Sequence, residues 1–106
     1  MIALDTNILA RYLLNDSPDQ GERADRLLNG PEPCTVPITV FLELAWVLES
    51  YDFERTEIAK SIRMLCGLRN FYPPNLDALG SALFWYEEGM DFADALLGTK
   101  QQGKRI

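Results

Sequence analysis

The sequence contains no histidine and only two cysteines. The first absence excludes Ser-His and Cys-His catalysis, metal sites built on imidazole and acid–base chemistry by imidazole, so carboxylates become the leading candidates for chemistry. Cys34 and Cys66 lie far apart in the chain and are too few for a disulfide scaffold or a four-thiolate zinc site. We therefore expect both to be free thiols in the hydrophobic core.

Long apolar stretches are also missing. The longest, residues 36–48, contains Pro37 and Glu43 and falls well short of the ~20 residues that a membrane-spanning helix requires. Residues 1–5 lack the basic and long apolar segments of a secretory signal. The sequence therefore predicts no membrane span and a cytoplasmic location.

Basic residues are few, because 10 Lys and Arg stand against 16 Asp and Glu, which gives a formal net charge of −6. Such a surface repels nucleic acids at long range, so a phosphate-binding function would need clustered arginines or metal ions. A basic protein partner would be attracted.

The remaining composition is that of a globular protein. The 106 residues are 47% hydrophobic and 25% charged, which is enough apolar material for one core and fits no disordered or low-complexity class. No repeat or flexible linker divides the chain. We predict a single domain over residues 1–106.

Short extended segments alternate with helices along this chain. Residues 1–4, 34–36 and 71–74 are predicted to be extended, and residues 103–106 to begin a last strand. Apolar residues at helical spacing predict the helices, which cover residue 6 to the break at 15–18, then 20–28, 38–50, 55–68, 76–89 and 92–102. This alternation predicts the α/β class, with a short parallel sheet covered on both faces.

Asp5 directly follows the first predicted strand, and Thr6 and Asn7 add polar groups beside it. The carboxyl ends of parallel strands are where ligand sites form in open α/β sheets. An aspartate at this position can equally well cap the helix that begins near Thr6. Both interpretations remain open from the sequence.

Glu43 lies within a nearly continuous apolar segment, so we expect its helix to have little room for a solvated face. A buried carboxylate needs an opposite charge, and a divalent cation would supply one. Thr39, four residues earlier, shares its face and could orient it. Two alternatives are a narrow polar stripe of Thr39, Glu43 and Ser50, and a salt bridge to an arginine such as Arg11.

Asp91 and Asp94 lie at the start of the last predicted helix, three residues apart and on one face. The spacing favours a capping role for Asp91 over metal contact. Asp94 heads an apolar segment and is the better candidate ligand. Together with Asp5 and Glu43, it completes a set of three carboxylates suited to Mg²⁺ or Mn²⁺, ions that activate water for attack on phosphodiesters without any histidine.

Four sequence blocks then show a resemblance to a known family. They read LDTN at residues 4–7, LARYL at 9–13, PITVFLEL at 37–44 and DFADAL at 91–96. In this order and spacing they resemble the PIN-domain ribonucleases, especially the VapC-like toxins of toxin–antitoxin pairs, from residue 1 to about residue 103.

The resemblance implies a three-layer α/β/α domain that cuts RNA with Mg²⁺ or Mn²⁺. By motif, Asp5, Glu43 and Asp94 match the first three acidic ligands of the family. Thr6 matches the hydroxyl beside the first ligand, and Thr39 matches the small polar residue one turn before the glutamate. Asp91 corresponds to an auxiliary acid in some members. The resemblance also implies an RNA substrate and a cognate antitoxin protein.

The sequence departs from the family pattern after this helix. Family members usually continue into another strand with a fourth carboxylate, whereas this sequence ends at Ile106, so we expect an incomplete last strand and no fourth acidic block. Such a site could bind metal weakly or be inactive. An exposed sheet edge would also invite pairing with another chain, and we expect a homodimer.

Two functional hypotheses follow. The first is a metal-dependent endoribonuclease that serves as a toxin, and the second is a catalytically impaired module that acts by binding an antitoxin or itself. A phosphatase with Asp5 as covalent nucleophile has little support, because such enzymes have an Asp-x-Asp pattern and position 7 is Asn.

Arg11 is the best candidate for RNA contact. The aromatic residues 84–86 either face a partner or pack in the core.

Overall fold

The computed structural model describes residues 1–14 and 18–102, with side chains described through residue 98. Its elements in chain order are β1 (Ile2–Ala3), α1 (Thr6–Leu14), α2 (Pro18–Leu28), β2 (Cys34–Thr35), α3 (Thr39–Ser50), α4 (Arg55–Cys66), α5 (Leu76–Glu87) and α6 (Phe92–Gln102). Most of the break predicted at residues 15–18, and the strand predicted at 103–106, lie outside the described residues.

The sheet is short and parallel. β1 pairs with β2 in the register Ile2 with Cys34 and Ala3 with Thr35. A parallel bridge joins Cys34 to Phe71, which places the third predicted extended segment beside β2. Pro33 and Pro37 bracket β2 and limit its length, because proline cannot donate a hydrogen bond to a ladder. The predicted α/β class with a short parallel sheet is confirmed.

The helix boundaries agree with the local signals in the sequence. α3 begins one residue after its predicted start, and α4 ends at Cys66 with Gly67 as its C-cap. Glu54 and Glu57 form a capping box at the start of α4. The side chain of each residue accepts a hydrogen bond from the backbone N–H of the other. Gly89 follows α5 with a φ of 112°, a conformation that glycine adopts without steric cost.

One buried hydrophobic cluster contains side chains from the first strand region through α6, from Leu4 to Leu96. α3 contributes Phe41, Leu44 and Leu48, which are fully buried, so α3 is the central packing helix, as its composition predicts. In the described part of the chain, no helix has the length and apolar character needed to cross a membrane.

The cysteines are free thiols within or beside this cluster. Cys34 is buried, and burial is the main cause that raises the pKa of its thiol. Cys66 is half-buried, and desolvation raises its pKa to about 11. The prediction of core thiols is confirmed for Cys34, whereas Cys66 lies at the edge of the core.

Arg55 joins the start of α4 to the end of α5. Its guanidinium donates hydrogen bonds to the carbonyl oxygens of Tyr86 (2.8 Å) and Met90 (2.6 Å), and it lies 4.6 Å from the centroid of the Tyr86 ring. Tyr86 lies in the last turn of α5, so the guanidinium offsets the negative end of the helix dipole there.

Candidate active site

Asp5 lies between β1 and α1 and caps the helix. Its Oδ1 accepts a hydrogen bond from the backbone N–H of Ile8 at 3.1 Å, the geometry of an N-cap aspartate. The side chain is exposed, and the cap engages one of its two oxygens. The capping interpretation is therefore confirmed, and it leaves the second oxygen available to a ligand.

Glu43 is exposed, and the expectation that its helix lacks a solvated face is wrong for this residue. Thr39, Trp46 and Ser50 are exposed as well, and they follow the same strip of α3 as Glu43 because their spacings are three and four residues. The expectation failed because Trp46, an apolar residue, is 57% exposed. The alternative of a polar stripe fits α3, with Trp46 lying within the stripe.

A cleft of about 240 Å³ brings Asp5 and Glu43 together. Its lining, which we call the carboxylate cleft, consists of Asp5, Thr6, Asn7, Val40 and Glu43. The two acids are distant in sequence and meet because α1 packs against α3. Thr39 lies one turn before Glu43 and is not among the lining residues.

Asp91 and Asp94 lie at the start of α6. The Oδ2 of Asp91 accepts a hydrogen bond from the backbone N–H of Asp94 at 3.2 Å, so Asp91 caps α6 as its position predicts. Asp94 is exposed and does not line the carboxylate cleft. Among the residues that the structure describes, no three acidic, cysteine or histidine side chains are grouped closely enough to hold a metal ion.

The donor set of the carboxylate cleft nevertheless fits a hard divalent cation. Asp5 and Glu43 offer carboxylate oxygens, Thr6 offers a hydroxyl and Asn7 an amide oxygen. Mg²⁺ is commonly held by one or two carboxylates together with several water molecules and substrate phosphates. Two acids therefore suffice for a candidate site, and the roles of Asp94 and Asp91 as ligands stay predictions.

A second cleft, of about 250 Å³, adjoins the first. We call it the arginine cleft, and the described residues that line it are Asn7, Ile8, Arg11, Gln20 and Arg23. Asn7 lines both clefts. Sequence reasoning identified Arg11 but missed Gln20 and Arg23, because their pattern on α2 is also that of an ordinary solvated helix face.

The aromatic residues of α5 divide between core and surface. Tyr86 is buried and donates a hydrogen bond to Oε2 of Glu49 at 2.6 Å. Phe84 and Trp85 are 53% and 47% exposed, and their rings meet edge to face with centroids 5.2 Å apart. The packing interpretation thus applies to Tyr86, and its two neighbours form an exposed aromatic pair.

The family model for the PIN domain matches residues 2–98. That range covers most of the chain and includes both clefts, so the protein belongs to the PIN-domain family. PIN domains are generally nucleases and usually use divalent metal ions, which assigns the chain to nuclease-type hydrolases. The chain has no significant match among curated proteins or solved structures.

Proposed function

We propose that this protein is an endoribonuclease that depends on Mg²⁺ or Mn²⁺ and hydrolyses RNA phosphodiesters at the carboxylate cleft. The observation that carries the proposal is that Asp5, just before α1, and Glu43, on α3, line one cleft of a PIN-domain chain. Both side chains are exposed and thus accessible to a substrate. The absence of histidine is compatible with this chemistry, because carboxylates and a metal ion suffice for it.

In this proposal Asp5 and Glu43 hold the cation through their carboxylate oxygens. When bound, such a cation polarises the phosphodiester, offsets its negative charge and lowers the pKa of coordinated water. Thr6 contributes a hydroxyl to the same cleft, and Thr39 supports Glu43 from one turn earlier. Asp94 is the proposed third ligand and Asp91 an auxiliary one.

The net charge of the chain supports the proposed cation requirement. The chain carries a formal charge of −6, and the cleft adds two carboxylates at the point where a phosphate must approach. Without neutralisation, these acids would repel the substrate. Chelation of divalent ions is therefore expected to reduce both RNA binding at this cleft and cleavage.

The test pairs cleavage with cation binding. Labelled single-stranded RNA is incubated with the full chain in Mg²⁺, in Mn²⁺ and in EDTA, and Mn²⁺ binding is measured by isothermal titration. We expect Glu43→Gln to abolish cleavage and to weaken Mn²⁺ binding, whereas Glu22→Gln, an exposed glutamate of α2 outside the carboxylate cleft, changes neither. Cleavage that persists in EDTA or in Glu43→Gln would contradict the proposal.

Asp94→Asn tests the third ligand separately. If Asp94 holds the cation, Mn²⁺ binding and cleavage fall as they do in Glu43→Gln. Unchanged Mn²⁺ affinity would limit the metal site to Asp5 and Glu43. Asp77→Asn is the matched control, because Asp77 is an exposed aspartate in the first turn of α5 and does not line the carboxylate cleft.

We further propose that the protein is cytoplasmic and is the VapC-like toxin of a toxin–antitoxin pair, with a basic antitoxin as its partner. The charge of −6 supports a basic partner. The proposed partnership is tested by co-expressing the protein with the product of an adjacent gene and purifying through a tag on one chain. Loss of the complex at high salt is expected for an electrostatic interface.

The second candidate function is a module that acts by protein–protein contact. Two observations favour it: Asp94 does not line the carboxylate cleft, and Phe84 and Trp85 form an exposed aromatic pair. The proposed occupant of this pair is a second copy of the chain. Light scattering should then give a dimer that Trp85→Ser weakens and that Met64→Ser, an exposed apolar residue of α4, does not.

A further inference from the structure

The arginine cleft concentrates positive charge in an acidic protein. The chain has 10 basic residues, and two of them, Arg11 from α1 and Arg23 from α2, line this one cleft. Arg23 is exposed, and among the described residues it takes part in no ion pair. The cleft is therefore a local exception to the charge of the whole molecule.

The lining of the arginine cleft selects anions. Besides the two guanidinium groups it offers the side-chain amides of Asn7 and Gln20, and none of its described lining residues carries a carboxylate. Guanidinium groups present several N–H donors in a planar fork that matches phosphate oxygens. A nearby cleft between α1, α2 and α4 is lined by Glu22 and Asp25 instead and would repel the same ligand.

The position of the arginine cleft identifies the anion. Asn7 lines both clefts, so a ligand that occupies them together carries one phosphate at the carboxylates and another at the arginines. A nucleotide chain supplies consecutive phosphodiesters for two adjacent clefts, whereas a mononucleotide with a single phosphate does not.

We infer that the arginine cleft binds a phosphate of the RNA chain next to the phosphate at the carboxylate cleft. This inference rests on the proposed ribonuclease function. Arg23 and Arg11 contact the flanking phosphate, Gln20 and Asn7 donate further hydrogen bonds to it, and the pair of clefts fixes the path of the strand. The arginines thereby position the scissile bond and are not themselves catalytic.

The test measures binding separately from cleavage. Asp5→Asn and Glu43→Gln are combined in the full chain, which removes cleavage and two repelling charges while keeping a residue that can cap α1. Anisotropy of a labelled single-stranded oligoribonucleotide is then followed against salt in EDTA. Arg23→Gln is added to this background, and Arg26→Gln is the matched control, because Arg26 is exposed on the same helix and lies outside the cleft.

Loss of one phosphate contact on a single strand changes the slope of log affinity against log salt by about 0.7, which corresponds to about eightfold weaker binding at 50 mM salt relative to a 1 M reference. We expect this change for Arg23→Gln and none for Arg26→Gln. Equal effects of the two substitutions, or no binding by the Asp5→Asn, Glu43→Gln chain, would overturn the inference.

Cleavage by the otherwise unaltered chain separates this inference from the proposed function. If that chain cleaves RNA but Arg23→Gln and Arg26→Gln behave alike, the ribonuclease proposal stands and the phosphate site is wrong. If Arg23 controls RNA binding but the chain cleaves nothing in Mg²⁺ or Mn²⁺, the phosphate site stands and the ribonuclease proposal is wrong.

Discussion

Two glutamates on α3, Glu43 and Glu49, have different roles in the fold. Glu49 accepts a 2.6 Å hydrogen bond from the hydroxyl of buried Tyr86 and so connects α3 to α5. Glu43 lines the carboxylate cleft with Asp5, and within the described residues its side chain takes part in no hydrogen bond or ion pair. Both glutamates are exposed. Their partners therefore distinguish a carboxylate that stabilises the protein from one that is available to a ligand.

The same contrast distinguishes two regions of the molecule by whether their polar groups have partners in the fold. Around α4 and α5, polar groups satisfy one another, as Arg55 does with the carbonyls of Tyr86 and Met90. Around the start of α1, polar side chains line two open clefts. Substitutions in the first region should change stability, and substitutions in the second should change function.

The largest expected effect is on cleavage by Glu43→Gln. If Glu43 is the proposed metal ligand, its loss removes several kcal/mol of transition-state stabilisation, so we expect the rate to fall about 100-fold or more. The unfolding free energy should stay nearly unchanged, because the side chain of Glu43 has no hydrogen-bond or ion-pair partner among the described residues. A marked decrease in the unfolding free energy of Glu43→Gln would contradict the distinction between the two glutamates.

The next largest effect is on stability, in Arg55→Ala. This change removes two hydrogen bonds from a charged donor and a cation–π contact, which together should lower the unfolding free energy by about 2–3 kcal/mol. Urea denaturation measures it, with the exposed Lys60→Ala of the same helix as control. Equal midpoints for Arg55→Ala and Lys60→Ala would show that Arg55 does not join the two helices.

A smaller effect separates the two roles of Asp5. Asp5→Ala removes the cap of α1 and should cost about 1 kcal/mol of stability, whereas Asp5→Asn keeps the cap at little cost. Both substitutions should abolish cleavage, because both remove the carboxylate. Retained cleavage in Asp5→Asn would assign Asp5 to the fold alone.

An effect on stability of the same size, about 1 kcal/mol at neutral pH, is expected for Tyr86→Phe, which removes one hydrogen bond. A distinct pH dependence accompanies it. Burial, followed by the hydrogen bond and charge of Glu49, raises the pKa of Tyr86 above its ordinary value of 10.0. Above about pH 10 the unfolded chain releases this proton while the folded chain keeps it, so stability falls as pH rises.

Urea unfolding of wild type and Tyr86→Phe between pH 8 and 11 measures this dependence. The stability of the wild type should fall more steeply above pH 10 than that of Tyr86→Phe, and the two should run parallel below pH 9. Parallel curves over the whole range would mean that Tyr86 titrates alike in the folded and unfolded chains.

Local signals in the sequence predicted the elements well. The glycines at 67 and 89 mark the ends of α4 and α5, and the prolines at 33 and 37 bracket β2. Such signals act within a few residues, so they can be interpreted without knowledge of tertiary contacts. The resemblance to the PIN-domain family, carried by short blocks, was confirmed over residues 2–98, and the VapC-like subtype stays a prediction.

The site was less predictable because its shape depends on packing between distant helices. Glu43 was expected to be enclosed, since hydropathy counts Trp46 as a core residue, yet Trp46 lies on the open side of α3. Arg23 was missed because nothing on α2 indicates that α1 lies beside it. Residue type therefore predicted which groups could react, and the fold determined which of them meet.

The hydrogen bond between Asp5 Oδ1 and the Ile8 N–H has a consequence for ligand affinity. Folding already fixes the rotamer of this carboxylate. Binding of a cation at the cleft would therefore cost little further side-chain entropy of Asp5. Fraying of the first turn of α1 would release the rotamer and lower the affinity. Cation binding and the order of that turn are thus thermodynamically linked, and each should stabilise the other.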